Sequence, residues 1–259
     1  MLDFEVLMSC MHQSDFSLLE KLNLIGVKTL MVNQCDIDKE EVQIVGVHRK
    51  FDTPTRGLSI SRNIAIDNCT AEVGLIADDD EIFFSDLADR VSQAYEIVPD
   101  ADIVIFKMPF KRLGDKKKRL KKYELLKVCS LQISFKINSV KGRLFFDKNL
   151  GAGTNNGSCE ETKFLMDAYK QGLKIYYLPI EISKMERQGS TWFNGYDKVF
   201  FYNRGKTTRY VLGFLPAFFY SLYYVVRKHK RYKKDISFFK ALRYSLKGLF
   251  TKDINKKYE

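Results

Sequence analysis

Hydrophobic and polar residues alternate along the first 108 residues in a pattern that is typical of a parallel α/β sheet. Short runs of apolar, often β-branched residues are separated by stretches whose apolar residues recur every three or four positions. The runs predict strands, and the stretches between them predict helices that cover the sheet. The predicted strands are residues 4–9, 27–32, 42–47, 73–77 and 102–108, and the predicted helices are residues 14–22, 59–68 and 85–98.

Further elements are predicted after a lysine-rich stretch at residues 111–122, which itself predicts a loop or a solvated helix. A glycine-rich segment at residues 151–157 precedes another helical pattern, and Gly172 stands where a left-handed residue that ends a helix is expected. The predicted elements of this region are strands at 130–137, 142–146 and 173–178, the last ended by Pro179, and a helix at 159–171.

Three consecutive aspartates, Asp78, Asp79 and Asp80, follow the predicted strand at residues 73–77 and form the aspartate triplet. Adjacent carboxylates repel one another, and a divalent cation offsets this repulsion. Ligands of parallel sheets bind at the carboxyl ends of the strands, where residues 33–36 are also expected. The triplet therefore predicts a Mg²⁺ or Mn²⁺ site that leaves positions for substrate phosphates. The alternative is a solvated acidic turn that opens the next helix.

A second pair of carboxylates, Glu160 and Glu161, stands in the first turn of the helix predicted at residues 159–171. Acidic residues are favourable at this end of a helix, because they face the positive end of its dipole. The alternative is chemical: a carboxylate that points into a cleft serves as a general base when it lies within hydrogen-bond reach of a hydroxyl group.

Composition restricts the class of protein. The chain has 259 residues, of which 45% are hydrophobic, so it forms one large domain or a domain with an appendage. Five widely spaced cysteines without a C-x-x-C pair predict reduced thiols in the cytosol, and three scattered histidines predict no histidine metal site. The first nine residues lack a basic segment, so no signal peptide is expected.

The net charge of +11 is concentrated in residues 204–259, which contain fifteen Lys and Arg against three acidic residues. Within them, residues 210–226 carry no charge, but this length is at the lower limit for a membrane-spanning helix and includes Pro216. Its aromatic residues, the flanking cations and a second amphipathic pattern at 235–250 favour helices that lie in the interface of an anionic membrane. The alternative is a buried hairpin. Nucleic-acid binding is not expected, because the basic residues border an apolar run instead of alternating with aromatic ones.

Several motifs, taken in their order, resemble the family 2 glycosyltransferases with the GT-A fold. Arg62 and Asn63, in a predicted helix, precede the strand that carries the aspartate triplet, which looks like the D-x-D motif of that family. The segments G-A-G at 151–153, C-E-E-T-K-F at 159–164 and G-L-K-I-Y-Y-L-P at 172–179 look like its acceptor-site block. Residues 190–196 and 204–205 resemble a subgroup linked to bacterial capsule and surface-polysaccharide assembly.

This resemblance covers about residues 4–205 and implies a fold and a division of the chain. The implied fold is α/β and Rossmann-like, with a mixed, mostly parallel sheet flanked by helices. Residues 1–205 would form the GT-A catalytic domain. Residues 206–259 would form a basic, aromatic, amphipathic helical tail that associates with the membrane.

The resemblance also implies donor-site residues. Asp80 and Asp78 would bind Mn²⁺ or Mg²⁺ together with the diphosphate of a nucleotide-sugar. Arg62 would pair with that diphosphate through its planar fork, with a salt bridge on the helix surface as the alternative. The nucleotide-sugar contacts implied are Asp36, Arg62, Asn63, Asp78 and Asp79.

On the acceptor side, the resemblance implies Glu161 as the general base of an inverting single displacement and Glu160 as the residue that orients the acceptor. Gly153 and Trp192 would contact the acceptor, although a lone tryptophan is also common in a core.

Four features depart from the family pattern. The nucleotide motif after the second strand reads V-N-Q-C-D at 32–36, and the base is Glu161 where aspartate is often found. Glycine often stands where this chain has Cys159. Residues 182–187 lack the histidine that often completes the metal shell, so Glu186 or water would replace it, or the metal would bind more weakly.

The function implied is transfer of a sugar from a nucleotide-sugar donor to a lipid-linked saccharide acceptor in surface-polysaccharide synthesis. The protein would be cytoplasmic and bound peripherally to the inner face of the cell membrane through residues 206–259. The alternative is an inactive or weakly active scaffold that binds the sugar nucleotide within a membrane-bound assembly. A phosphoryl-transfer enzyme is less consistent with the sequence, because no phosphate-binding glycine loop lies near the first strand.

Overall fold

The computed structural model describes residues 2–108, 113–185 and 195–258, and these residues form a mixed sheet flanked by helices. Nine strands of this part of the chain form the main sheet, in the order β3-β4-β2-β1-β5-β9-β7-β10-β8, and β6 and β11 form a separate pair. The strands are β1 Phe4–Met11, β2 Thr29–Gln34, β3 Glu41–Val45, β4 His48–Thr53, β5 Val73–Ala77, β6 Glu81–Phe83, β7 Ile103–Lys107, β8 Lys118–Arg119, β9 Ile133–Lys136, β10 Ile175–Glu181 and β11 Ser183–Met185.

The helices lie on both faces of the sheet and then continue as a group at the C-terminal end of the described chain. Short 3₁₀ helices at Lys122–Lys127 and Ser130–Gln132 lead into β9. The α-helices are α1 Ser17–Lys21, α2 Leu58–Asn68, α3 Leu87–Ile97, α4 Ile137–Val140, α5 Glu160–Lys170, α6 Lys198–Leu212, α7 Phe214–Tyr232 and α8 Phe238–Phe250.

Strands β4, β2, β1 and β5 run parallel, and so do β7 and β10. Antiparallel β9 joins these two parts of the sheet, because it pairs with both β5 and β7. The predicted α/β fold with a mixed, largely parallel sheet is confirmed. The parallel block brings the carboxyl ends of β1, β2 and β5 to the same edge, where a ligand crevice is expected.

Two apolar layers, one on each face of the sheet, form the core. One contains Leu7 and Ile76 with residues of α5, and the other contains Met8 and Leu75 with residues of α3. These strand residues alternate between faces because successive side chains of a strand point in opposite directions. Strand β5 is buried along its whole length, as its unbroken apolar sequence predicts.

Three sequence predictions of local structure were wrong. Strand β4 was missed, because its sequence H-R-K-F-D-T is polar, although Lys50 and Asp52 are both buried. Residues 142–146 form a turn and an irregular segment instead of a strand. Strand β10 continues past Pro179 to Glu181, with an irregularity in its pairing with β7.

Helices α6, α7 and α8 pack on one another and against the rest of the protein. The predicted boundary at residue 205 lies inside α6, so the division into 1–205 and 206–259 stays a prediction about function. The uncharged segment is interrupted at Gly213, where α6 ends and α7 begins. Within the described residues, no helix is both long enough and apolar enough to cross a membrane.

Candidate active site

A cavity of about 580 Å³ lies at the carboxyl ends of β1, β2 and β5. It brings together residues that are up to 152 positions apart in the sequence, from Ser9 to Glu161, because the parallel strands end at the same edge of the sheet. The aspartate triplet follows β5 directly, and the first turn of α5 lies across the cavity from the end of β1. The predicted site residues that line it are Arg62, Asp78, Asp79, Asp80, Gly153, Glu160 and Glu161.

The glycine-rich segment contacts the start of α2 closely. Gly153 has a φ of 86°, and a side-chain Cβ there would lie 3.1 Å from the Cα of Gly57. The backbone N–H of Leu58 donates a hydrogen bond to the Ala152 carbonyl, and the Ser59 hydroxyl donates to the Leu150 carbonyl. The left-handed backbone and the close approach both require glycine at position 153.

Arg62 links the two groups of carboxylates. Its side chain is completely buried, with Nη2 3.0 Å from Oδ1 of Asp78 and Nη1 3.1 Å from Oε1 of Glu160. The guanidinium also lies over the Phe146 ring, 5.3 Å from its centroid. The alternative of a salt bridge on the helix surface was therefore wrong. Both ion pairs use the planar guanidinium group that the sequence predicted to bind the diphosphate. In this structure, Arg62 therefore positions Asp78 and Glu160.

Glu160 and Glu161 have different surroundings, although they are adjacent. Glu160 is buried, paired with Arg62 and also part of the cavity lining, and its role in orienting the acceptor stays a prediction. Glu161 lines the cavity, and burial of its carboxyl group together with the neighbouring Glu160 raises its pKa from 4.5 to about 8. A carboxylate with a raised pKa is a stronger proton acceptor, which is the property required of a general base.

The backbone before this pair is in an unusual conformation. Cys159 precedes α5 with a φ of 77°, in the left-handed region that favours glycine. Glycine adopts this conformation most readily, and here the non-glycine residue Cys159 holds it. This conformation brings Glu160 and Glu161 to the first turn of α5, beside the cavity.

The donor set for a metal consists of carboxylate oxygens of the aspartate triplet. Asp78 is held by Arg62, and Asp79 and Asp80 line the cavity beside it. Among residues 2–108, 113–185 and 195–258, no group of three or more His, Cys, Asp and Glu side chains is arranged to hold an ion alone. The carboxylate oxygens of the triplet are donors that suit Mg²⁺ or Mn²⁺, which proteins bind through one or two carboxylates while substrate phosphates complete the shell.

Glu81, the residue after the aspartate triplet, holds the backbone of this segment in place. Its side chain is fully buried on β6 and accepts a hydrogen bond from the Ser183 hydroxyl on β11. Burial raises the pKa of Glu81 well above its ordinary value. The β6–β11 pair therefore fixes the backbone directly after Asp80.

Three predicted site residues are not on this cavity. Asp36 is exposed and forms an ion pair with Arg56, whose side chain does line the cavity. Asn63 is turned away from it: its amide nitrogen donates to the Phe146 carbonyl, and its amide oxygen accepts from the Phe146 N–H, each at 2.8 Å. The assignment of Asn63 to the donor is therefore corrected to a structural role. Trp192 lies outside the described residues.

Sequence reasoning missed a polar network next to the cavity. The Asn33 amide donates to Asp52 at 2.6 Å and to the Gln13 carbonyl at 2.8 Å, and Lys50 lies 3.4 Å from Asp52. Gln34, which lines the cavity, accepts a hydrogen bond from the Gly57 N–H. The signal was present in the polar residues at the ends of β2 and β4, but β4 was not recognised as a strand.

Comparisons with known proteins identify the fold. TarS 1–349 of S. aureus in complex with UDP-GlcNAc matches 90% of this chain and 74% of its own, with a TM-score of 0.61 and 15% identity. The same fragment in complex with UDP gives a TM-score of 0.56 at 14% identity over the same shares. The mannosyltransferase PcManGT from Pyrobaculum calidifontis in complex with GDP-Man and Mn²⁺ matches 98% of this chain and 89% of its own, with a TM-score of 0.53 and 11% identity.

These similarities establish that the chain has the fold of the GT-A glycosyltransferases. No protein-family model matches the sequence. A search of curated proteins also gives no match. The low identities restrict the result to the fold, and the chemistry must be argued from the cavity.

Proposed function

We propose that the protein is a nucleotide-sugar-dependent, inverting glycosyltransferase of the family 2 type. The observation that carries this proposal is a single cavity, at the carboxyl ends of the parallel strands, that is lined by both the aspartate triplet and Glu161. The fold is shared with proteins whose structures contain UDP-GlcNAc, UDP and GDP-Man. This reaction requires an acidic cluster that binds the metal and a separate carboxylate that accepts a proton.

On the donor side, Asp80 and Asp78 are the proposed metal ligands, and Asp79 and Arg56 are proposed to contact the nucleotide. Bound Mn²⁺ or Mg²⁺ would supply charge neutralisation for the diphosphate that leaves from the sugar. The protein contributes orientation, because the Arg62–Asp78 ion pair and buried Glu81 hold the ends of the triplet in place. Asp36 is proposed to act only by positioning Arg56.

On the acceptor side, Glu161 is the proposed general base. It would take the proton from an acceptor hydroxyl group while the oxygen of that group attacks the sugar carbon and the diphosphate leaves from the opposite face. One displacement inverts the configuration at that carbon. Glu160 is a weaker candidate for the base, because Arg62 neutralises it and burial restricts its access.

The proposed acceptor is a lipid-linked saccharide, and the proposed place is the cytoplasmic side of the cell membrane. Exposed apolar residues follow one side of α7 at intervals of three or four positions. They are Leu215, Phe219, Tyr223 and Val226, exposed by 65, 62, 59 and 63%. Basic residues at 227–234 follow directly, so this face is suited to an anionic membrane surface. The resemblance to surface-polysaccharide enzymes supports the same pathway.

The test is nucleoside diphosphate release from UDP-, GDP- and dTDP-sugars, with and without Mn²⁺ or Mg²⁺, in the presence of a bacterial lipid extract. Wild type is compared with Asp80→Asn, Glu161→Gln and, as a matched control, Asp67→Asn on the exposed side of α2. We expect metal-dependent release from one donor class, and a loss of 100-fold or more in both site variants, since general-base catalysis contributes about 10²–10⁴-fold. The control should retain the wild-type rate.

The scaffold alternative predicts a different result. It predicts that the wild type binds a nucleoside diphosphate in the presence of metal, releases no product from any donor and is unaffected by Glu161→Gln. Release that is equal in wild type and Asp80→Asn would contradict the proposed metal site. Nucleotide binding measured by calorimetry separates a scaffold from a protein that does not use nucleotides.

A further inference from the structure

A second cavity, of about 280 Å³, also borders Glu161 but is lined by none of the three aspartates of the triplet. Cys129, Ser158 and Glu161 line both this cavity and the larger one, so these three residues form the wall between them. A group in the second cavity would therefore be adjacent to the proposed base without occupying the space of the donor.

The walls of the second cavity combine apolar and polar side chains. Leu126 and Val128 contribute from the segment around the first 3₁₀ helix, and Val211 and Leu212 contribute from the end of α6. The polar groups are those of Ser158, Glu161, Thr162, Arg204, Thr208 and Tyr220. Apolar walls with convergent polar groups are the usual form of a small-molecule binding site.

Arg204 is the cation of this cavity, and the protein neutralises it only in part. Its guanidinium carbon lies 3.7 Å from the centroid of the Tyr224 ring, and Nη2 donates to the Tyr220 hydroxyl at 3.1 Å. In the described part of the chain, no ion pair joins Arg204 to a carboxylate, and its buried Nε has no hydrogen-bond partner. A largely desolvated cation without a counterion is costly, and a bound anion would offset the cost.

Arg204 also connects this cavity with the glycine-rich segment. It lines a third cavity of about 320 Å³ together with Gly153, Gly157 and Ser158. The two tyrosines hold the guanidinium beside both of these cavities while leaving donor capacity unused. Arginine at such a position is suited to phosphate or carboxylate, which it contacts through two N–H groups.

We infer that the cavity bounded by Glu161 and Arg204 is the acceptor site, and that Arg204 binds an anionic group of the acceptor, a phosphate ester or a carboxylate. The inference rests on the proposed function for the role of Glu161. The donor diphosphate is a poor candidate for the same anion, because its proposed ligands line the larger cavity. Tyr220 belongs to α7, the helix with the exposed apolar side, so the site lies beside the surface proposed to meet a membrane.

The test is calorimetric binding of three soluble probes with the same chain length: hexyl phosphate, hexanoate and neutral hexyl glucoside. Wild type is compared with Arg204→Met, Arg204→Lys and the control Arg209→Met. Arg209 is on the same helix but bonds the Leu249 carbonyl and lines neither cavity. We expect an anionic probe to bind at least tenfold more tightly than the glucoside. Arg204→Met should lose that preference, and Arg204→Lys should retain part of it.

The two anionic probes separate the sources of the charge, since preference for hexyl phosphate indicates a phosphate ester and preference for hexanoate indicates a carboxylate. Equal binding of the glucoside, no binding of any probe, or an unchanged preference in Arg204→Met would overturn the inference. Circular dichroism of each variant checks its fold, and Arg204→Lys provides the comparison if Arg204→Met is unfolded. Binding of UDP and GDP with Mn²⁺ to the wild type tests the proposed function separately, so either idea can fail alone.

Discussion

Arg62 is a completely buried cation whose stability depends on two carboxylates from distant parts of the chain. A buried ion pair contributes little net free energy compared with an apolar pair, but removal of one partner leaves an uncompensated charge. In this protein the uncompensated group would be the buried carboxylate of Glu160. The arginine therefore has a large effect on folding even if it never contacts a substrate.

We predict that Arg62→Met lowers the free energy of unfolding by about 3–5 kcal/mol, measured by denaturant titration. The double variant Arg62→Met with Glu160→Gln should recover part of this loss, because the buried negative charge is removed as well. A double variant that is less stable than Arg62→Met alone would show that Glu160 is stabilised by contacts other than the ion pair. Asp67→Asn, on the exposed side of the same helix, is the control.

The raised pKa of Glu161 predicts that the free energy of unfolding depends on pH. Its pKa is 4.5 in the unfolded chain and about 8 in the folded protein. Between these values the folded protein holds a proton that the unfolded chain has released, so the free energy of unfolding decreases as the pH rises through this range. We expect Glu161→Gln to lack this contribution, and therefore to gain stability relative to wild type between pH 5 and pH 9.

Denaturant titrations at pH 5, 7 and 9 measure this difference in the free energy of unfolding. The matched control is Glu96→Gln, on the exposed side of α3. The control should follow the wild type at each pH. A difference between Glu161→Gln and wild type that stays constant from pH 5 to pH 9 would contradict a raised pKa at this carboxyl group.

At the scale of elements, α6 and α8 approach so closely that their backbones touch through two glycines. A Cβ built on Gly205 would lie 2.0 Å from the Ser245 carbonyl oxygen, and one on Gly248 would lie 1.9 Å from the Tyr202 carbonyl oxygen. Alanine is intrinsically better than glycine inside a helix by about 1 kcal/mol. Here that preference is opposed by a clash with backbone, which cannot move without separating the helices.

We predict that Gly248→Ala lowers the free energy of unfolding by about 1–3 kcal/mol in spite of its higher helix propensity, since overpacking has a cost of this size. The measurement is a thermal or denaturant titration. Lys240→Ala, on the exposed side of α8, is the control and should be close to neutral. A Gly248→Ala variant as stable as wild type would mean that the two helices can separate at little cost.

The elements that were predicted correctly from the sequence are those whose own apolar residues recur with the period of a strand or a helix. Strand β5 and helices α2, α3 and α5 were found within two residues of their ends, because their apolar residues follow the strand or helix period. Strand β4 was missed because Lys50 and Asp52 are buried through pairing with each other and with Asn33, which a single segment does not reveal.

Site residues were likewise recognised where the signal lies within one segment of the sequence, and missed where it depends on contacts between distant segments. The aspartate triplet and the Glu160–Glu161 pair could be recognised, because each is a dense local cluster of charge. The ion pairs of Arg62 could not, because they join residues 16 and 98 positions apart. Asn63 was misassigned for a related reason: its neighbour in sequence faces the cavity, but one step along a helix turns a side chain by about 100°.

In the whole molecule, the segment that follows α8 is bonded to the glycine-rich segment and to α6. The Asn156 amide donates to the Ile254 carbonyl and also to the Asn149 carbonyl beside the glycine-rich segment. The buried Lys206 ammonium of α6 donates to the Lys256 carbonyl. Helix α7 packs on both α6 and α8, so it belongs to the same group of elements.

The exposed apolar side of α7 is a testable part of the proposed function. We predict that the protein binds vesicles that contain anionic lipid and that the double variant Leu215→Asp, Phe219→Asp binds at least tenfold more weakly. The substitutions remove two exposed apolar side chains from the proposed contact and add negative charge next to an anionic surface. Vesicle sedimentation at increasing fractions of anionic lipid measures the effect.

The matched control is Val42→Asp, Ile44→Asp on the edge strand β3, which exposes apolar residues to a similar extent. The basic residues of the neighbouring strand, Arg49 and Lys50, form ion pairs with Glu5 and Asp52. Binding of this control should equal that of wild type, because the contact depends on α7 and on the cations at 227–234. Salt distinguishes the two contributions: binding should weaken as ionic strength rises from 0.1 to 1 M, where the Debye length falls from about 10 to about 3 Å, while the effect of the α7 substitutions persists. Equal loss in both double variants would assign the binding to general surface hydrophobicity and remove α7 from the proposal.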